Sequence, residues 1–351
     1  MQKGYKCRGI ITMRAREGDL IKTENHIIFD VKGLVHPPDR VIAFPRYIPS
    51  PTGNRRSGAD MYSKVYNLAE RFKYLKQNAP DLIVHDPVFD ENLCEVPLET
   101  IKQRYDPVAK LALLRTSKSL KPLEMKAVQL AEDLKEAAGI PWSATGISGS
   151  VLVGLYTAKS DLDPIVYGAE ACRKAYSALE DLLDDADSRF KQYSGNGLRA
   201  LFDFRSKDTV MSFEDFARVE QRKAFQGMFE GVDYFVRFVK DWSQVSEHYG
   251  DVCYMNSGYA KITGTVADAA EALFTPCTYK IENVTVVEGA KLEPISEIAS
   301  FRGRFCEQAK KGEEVTAQGK VEHVTNKKTE KDYYRIILGN KPTDYMVLLH
   351  G

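Results

Sequence analysis

The run Gly146-Ile147-Ser148-Gly149-Ser150-Val151-Leu152-Val153-Gly154-Leu155-Tyr156, followed at once by Ser160-Asp161-Leu162-Asp163-Pro164-Ile165-Val166-Tyr167-Gly168, restricts this chain more than any other stretch. Its first half has the pattern of a strand, a glycine turn and a short helix. Gly149 and Ser150 at that turn offer backbone N–H groups and a hydroxyl, which bind phosphate oxygens well. The second half reads as a strand, and its alternation puts Asp161 and Asp163 on one face, about 7 Å apart at the backbone. Two carboxylates side by side repel unless a cation sits between them, and all-oxygen ligation suits Mg²⁺ or Mn²⁺. A phosphate cradle beside such a pair is the equipment of phosphoryl or nucleotidyl transfer. Pro164 cannot donate to a ladder, so this strand is expected to be an edge or to be irregular there.

Composition narrows the setting. The chain of 351 residues is 43% hydrophobic and 28% charged, enough to bury a core in two or three domains. No apolar run reaches the roughly 18 residues of a membrane-spanning helix, and Met1 to Lys6 leads into no signal-like apolar segment. The six cysteines form no Cys-x-x-Cys and only six histidines are present, which argues against a zinc site or a disulfide framework. A cytoplasmic protein with buried free thiols is the expectation. Basic and acidic residues balance at 49 each, so only their distribution bears on partners.

Short β-prone runs occur at Ile10-Ile11, Ile27 to Val31 and Val41 to Phe44. A helix is predicted with Met61, Val65, Leu68, Phe72 and Leu75 on one stripe. From Asp39 to Lys76 there are eight basic residues against three acidic, with Tyr47, Tyr62, Tyr66 and Tyr74 interleaved. That is either a nucleic-acid surface or a solvated face with ordinary core aromatics. Residues 81–99 reverse the sign and read as a loop-rich connector folding against the basic segment. Pro122 opens a helix that Gly139 closes, and a second helix follows Gly168. Ser212 is a good N-cap. Val232 to Val239 reads as one buried strand carrying Asp233. Arg237, four residues on, shares its face and can meet either a triphosphate or a structural carboxylate. Later come a short helix around Asp268 to Phe274 and well-alternating strands at Glu314 to Val321 and Tyr333 to Leu338. A small β-barrel is the reading of the tail. Ser300 to Phe305 alternates aromatics with Arg302 and Arg304, a single-strand nucleic-acid surface or a plain strand.

Gly-Ser, a short helix and Asp-x-Asp on the next strand resemble the nucleotidyltransferase superfamily that includes DNA polymerase β. The matching residues are Gly149, Ser150, Asp161 and Asp163, and the match runs from Leu123 to about Lys240. The whole chain resembles a group of predicted, largely uncharacterised nucleotidyltransferases. The resemblance implies a third metal-binding carboxylate from a later strand. Asp233 is the choice, with Asp203 as runner-up.

The expected fold is α/β (α+β): a nucleotidyltransferase-like mixed sheet with helices at 111–265, a β-rich N-terminal domain at 1–110, and a β-barrel-like C-terminal domain at 266–351. The expected reaction moves a nucleoside monophosphate from an NTP to a hydroxyl. Asp161, Asp163 and Asp233 would hold Mg²⁺ or Mn²⁺, and Gly149, Ser150 and Arg237 would meet the nucleotide. RNA or DNA is the favoured acceptor. A non-catalytic RNA- or DNA-binding protein, or a transferase acting on small molecules or proteins, are the alternatives.

Overall fold

The structure is a computed structural model describing residues 13–207 and 209–349. The expectations for Met1 to Lys6, Cys7 and Ile10-Ile11 lie outside the described residues.

The N-terminal region is built from β1 (Leu20–Thr23), β2 (Ile28–Val31), β3 (Arg40–Pro49), β4 (Arg55–Ser57), β5 (Asp60–Lys64), α1 (Leu68–Asn78), β6 (Ile83–Asp86), β7 (Glu91–Pro97) and β8 (Ile101–Tyr105). Its main sheet runs β4-β5-β3-β2-β1-β8, and the hairpin β6–β7 hangs from β3. Inward residues of these strands (Phe29, Val31, Val41, Ala43, Val96) enclose a core closed by Leu75 of α1. The helix predicted from Met61 starts later. Asp60 to Lys64 is a strand returning from a tight turn at Ser57-Gly58, and Asn67 caps α1 by accepting from the Glu70 N–H at 2.8 Å. The acidic segment 81–99 does fold against the basic segment, with β7 paired to β3 and Glu95 at 3.9 Å from Arg40, but as a hairpin rather than a loop. Its hairpin reaches the C-terminal barrel, where Glu91 pairs with Lys320 at 2.9 Å and Phe89 stacks on Tyr254.

The middle region holds α2 (Pro107–Arg115), α3 (Pro122–Ala138), β9 (Thr145–Ile147), α4 (Gly149–Leu152), β10 (Pro164–Tyr167), α5 (Ala169–Asp184), β11 (Phe190–Lys191), α6 (Gly195–Arg205), α7 (Phe213–Glu220), β12 (Gln226–Phe229), β13 (Val232–Phe235) and β14 (Arg237–Val239). As expected, Pro122 opens α3 and Gly139 closes it in the left-handed conformation at φ +61°. Ser212 caps α7. β10 is central, antiparallel to β9 and parallel to β14. It is therefore no edge, and it tolerates Pro164 because proline occupies its first position. Val232 to Val239 is not one buried strand. Val236 turns its N–H to the Phe225 carbonyl at 2.7 Å, so β13 joins the sheet β11-β12-β13 while β14 joins β14-β10-β9.

The C-terminal strands are β15 (Val252–Asp268), β16 (Cys277–Gly289), β17 (Ile295–Ser300), β18 (Glu314–Asn326), β19 (Lys331–Leu338) and β20 (Tyr345–Leu348). They run β15-β16-β17-β19-β18, and β15 pairs β18 to close the ring, with β20 added on β18. Every pairing is antiparallel except β17 with β19. This is a five-stranded Greek-key closure of the kind seen in oligonucleotide- and oligosaccharide-binding barrels. β15 already runs from Val252, although its inward–outward alternation is regular only from Ala260, so the barrel's first strand begins before the expected boundary at 265. Turns replace the helix expected at Asp268 to Phe274; Ala270 N–H is held by the Asp268 carboxylate at 2.8 Å. Ser300 ends β17, so Arg302 and Arg304 lie on a loop and a 3₁₀ turn rather than on a strand.

The fold is thus mixed α+β, with β-rich regions at both ends. One apolar cluster runs from α3 and α5 of the middle region through Phe238 and Phe274 into the barrel. The N-terminal sheet packs separately onto the middle region, where Tyr47 and Tyr62 meet Leu152, Val153 and Leu155. Among the described residues no helix is long and apolar enough to cross a membrane.

Candidate active site

The turn after β9 and the approach to β10 lie against each other. Ser148 N–H donates to the Asp163 carbonyl at 2.8 Å, and its hydroxyl donates to the Gly18 carbonyl at 2.7 Å. Gly149 has φ +60°. A Cβ there would lie 1.7 Å from Asp163 Oδ2 and 2.5 Å from its Cγ. The Asp163 carboxylate therefore covers the glycine, which explains why no larger residue fits. Ser150 is buried, and its Oγ has no hydrogen-bond partner, an arrangement that ordinarily costs free energy unless something fills it.

Asp161 and Asp163 precede β10 rather than standing within it. Between them, Leu162 forms a parallel bridge with Tyr234, donating to the Asp233 carbonyl at 2.8 Å and accepting from Phe235 N–H at 3.0 Å. Leu162 and Tyr234 both enter the core, so strand alternation sends Asp161, Asp163 and Asp233 to the opposite side. Asp233 is exposed rather than buried, and its carboxylate accepts from the Tyr193 hydroxyl at 2.8 Å. Asp203 lies exposed on α6, a helix and not a later strand. Among the described residues no three His, Cys, Asp or Glu side chains converge as a ready metal site.

The electrostatic surroundings come largely from the N-terminal sheet. Burial, and the Asp161 carboxylate next, push Asp163 up to about 6, against the pull of Lys64, Arg237 and Arg46. Burial and the neighbouring Arg46 push Lys64 down to about 8, while Asp161 and Asp163 act the other way. Arg71 is buried and brought down to about 10, by burial first and Arg46 second. Behind these, burial works to raise Asp30, but Lys32, Arg237, Arg71 and Arg46 hold it well below the usual carboxylate range.

Arg237, expected at the nucleotide, donates to Glu17 at 2.5 Å. Glu17 is fully buried and also accepts from Gly33 N–H at 2.7 Å and Lys32 at 3.3 Å. Arg237 thus fills the structural alternative left open by the sequence, while still acting on Asp163. Glu17 and Lys64 escaped the sequence reading. The excess of basic residues from Asp39 to Lys76 marked Lys64 as charged, but nothing local to Glu17 pointed to a partner 220 positions away.

Fold and site together define a class: a mixed α+β protein in which an N-terminal β-sheet covers a glycine–serine turn and a pair of aspartates. No family model matches the chain, and no solved structure matches it. It is 30% identical over 336 residues, 93% of this chain and 96% of the relative, to the uncharacterized protein MJ1086 of Methanocaldococcus jannaschii. The chain belongs to the family of that archaeal protein.

Proposed function

We propose that the protein is a metal-dependent nucleotidyltransferase, which transfers a nucleoside monophosphate from an NTP to a hydroxyl and releases pyrophosphate. The observation that carries the reading is the Asp163 carboxylate resting on Gly149, beside the unpartnered, buried Ser150 hydroxyl. The donor set suits Mg²⁺ or Mn²⁺, since the carboxylates of Asp161 and Asp163, with Asp233 on the adjoining strand, offer only oxygen. A bound divalent ion would supply charge stabilisation to the transferring phosphoryl group.

The chain's own residues then have distinct tasks. Ser150 donates to a phosphate oxygen, which would satisfy its hydroxyl. Lys64 and Arg46 act on the Asp163 carboxylate and would also meet the phosphates of a bound nucleotide. Arg237 steadies Asp163 from its pairing with Glu17. Of the basic residues expected to hold RNA or DNA, one acts at the carboxylates and others are engaged by backbone carbonyls. Arg46 acts on Asp163, Arg55 bonds the Leu155 carbonyl at 2.5 Å, and Arg302 bonds the Gly339 carbonyl at 3.2 Å.

The test is transfer of labelled NTP, with Mg²⁺ or Mn²⁺, to RNA, DNA, protein and small-molecule hydroxyls. Wild type should label one class and release pyrophosphate, and Asp161→Asn and Asp163→Asn should not. Transfer at wild-type rate by either variant under saturating NTP would reject the assignment.

A further inference from the structure

Next to the carboxylates the N-terminal sheet forms a cleft of about 320 Å³, lined by Thr52, Asn54, Arg55, Ser63, Lys64 and Tyr66. Its floor is fastened to the site. Arg55 donates to the Ser160 hydroxyl at 3.4 Å, one residue before Asp161. Lys64 stands between cleft and site, interacting electrostatically with both Asp161 and Asp163. Among the described residues it forms no ion pair within contact distance of a carboxylate. A lysine held among cations beside two carboxylates, and open to a cleft, is placed to receive a polyanion.

The outer wall is aromatic. Tyr66 is 47% exposed and Phe204 of α6 is 56% exposed, and their rings meet edge to face at 6.2 Å. Lys64 lies 4.9 Å and Arg46 5.5 Å from the Tyr66 ring centre. Two large aromatics left open together mark a contact surface rather than a packing residue of the core. One comes from the N-terminal region and the other from the middle region, so the wall exists only where the two regions meet. A planar aromatic ligand with a multiply charged tail matches a cleft that has π-faces at its rim, neutral hydrogen-bonding groups along its sides and a lysine at its inner end.

Resting on the nucleotidyl-transfer reading, we propose that this cleft binds the donor nucleotide, with Lys64 contacting its phosphates and Tyr66 and Phe204 stacking its base. The N-terminal β-sheet is then half of the nucleotide site and not only a scaffold. Tyr66 and Phe204 select for a nucleoside over bare polyphosphate, whereas Lys64 serves both.

Calorimetric titration in Mg²⁺ with ATP, GTP, CTP and UTP, and with inorganic tripolyphosphate, tests this. Wild type should bind at least one NTP more tightly than tripolyphosphate. Tyr66→Ala should weaken that NTP about tenfold or more, the effect of losing one stacked base, and leave tripolyphosphate unchanged. Phe204→Ala should act in the same direction more weakly. Lys64→Met should weaken NTP and tripolyphosphate by the same factor. Both aromatics are half exposed, so melting curves should show the variants folded. If wild type binds an NTP and neither Tyr66→Ala nor Lys64→Met changes its affinity beyond twofold, the cleft assignment is overturned and the transferase reading stands. If folded wild type binds no NTP with Mg²⁺, both fall.

Discussion

Gly149→Ala isolates the contact on which the site is built, because the fold supplies its own control. Gly149 and Gly139 share a positive φ, +60° and +61°, yet a Cβ at Gly139 meets nothing within 4 Å. Gly139→Ala therefore measures the left-handed backbone alone, a cost of roughly 1–2 kcal/mol. At Gly149 the same cost applies, and the new methyl must also displace Asp163. Its Oδ2 and Cγ would be at 1.7 and 2.5 Å, and its Cβ at 3.0 Å. Aspartate is too short to clear such a methyl by bending its tip. It has to rotate about its first torsion, and the carboxylate leaves the turn. Overpacking of this kind adds about 1–3 kcal/mol, so Gly149→Ala should cost about 2–5 kcal/mol. The assay is urea unfolding without metal at fixed pH, comparing midpoints at constant slope. In an Asp163→Ala background the cost of Gly149→Ala should fall most of the way toward the Gly139→Ala value, because the carboxylate is gone and only the Cβ at 3.0 Å remains. Equal losses for Gly149→Ala and Gly139→Ala in the wild-type background would mean that the carboxylate does not lie over the turn.

Two further outcomes follow from other buried groups. Arg237→Met leaves Glu17, which is fully buried, short of its strongest partner. Unfolding should show a loss of about 3 kcal/mol or more, and a loss under about 1 kcal/mol would mean the pair does not join the two regions. Glu95 is pushed up to about 7, by burial first and then by the Asp86 carboxyl beside it, with Arg40 opposing. The folded state therefore holds this proton more tightly than the unfolded chain. Its contribution is complete below the unfolded value and is lost as pH rises through about 7. Relative to Glu95→Gln, the wild type should lose on the order of 2 kcal/mol between pH 4 and pH 8, and parallel stability curves would remove the argument.

What could be read from the sequence was local. Gly149, Ser150, Asp161 and Asp163 lie within fifteen positions, and the strand, turn and helix that present them are set by their own neighbours. Helix α3 carries its signals at its ends, Pro122 and Gly139. The spacing of Met61 to Val65 and Leu68 fits a helix, whereas the hairpin with β4 that fixes Met61 is set by pairing with Arg56. Val236 breaks a continuous apolar run because of the Phe225 carbonyl, which no property of the run announces. The charge of Arg46 and Lys64 is visible in the sequence, but not that it is directed at Asp163, because a count of charges carries no direction.

The hairpin β6–β7 changes how the site must be entered. The N-terminal sheet is moored to the middle region by Arg55 and Tyr62, to the barrel by Glu91 and Phe89, and to the segment just before the barrel by the Asp86–Tyr249 hydrogen bond at 2.9 Å. A roof resting on two abutments has no free end to swing. Swinging it aside would break both moorings at once, unlike the mobile lids that gate many transferases. On the proposed reading, a nucleotide would enter by the cleft beside Tyr66 and Phe204, where rotamer flips of exposed rings take picoseconds to nanoseconds. Exchange would then depend on side-chain motion at that rim rather than on a swing of the whole sheet.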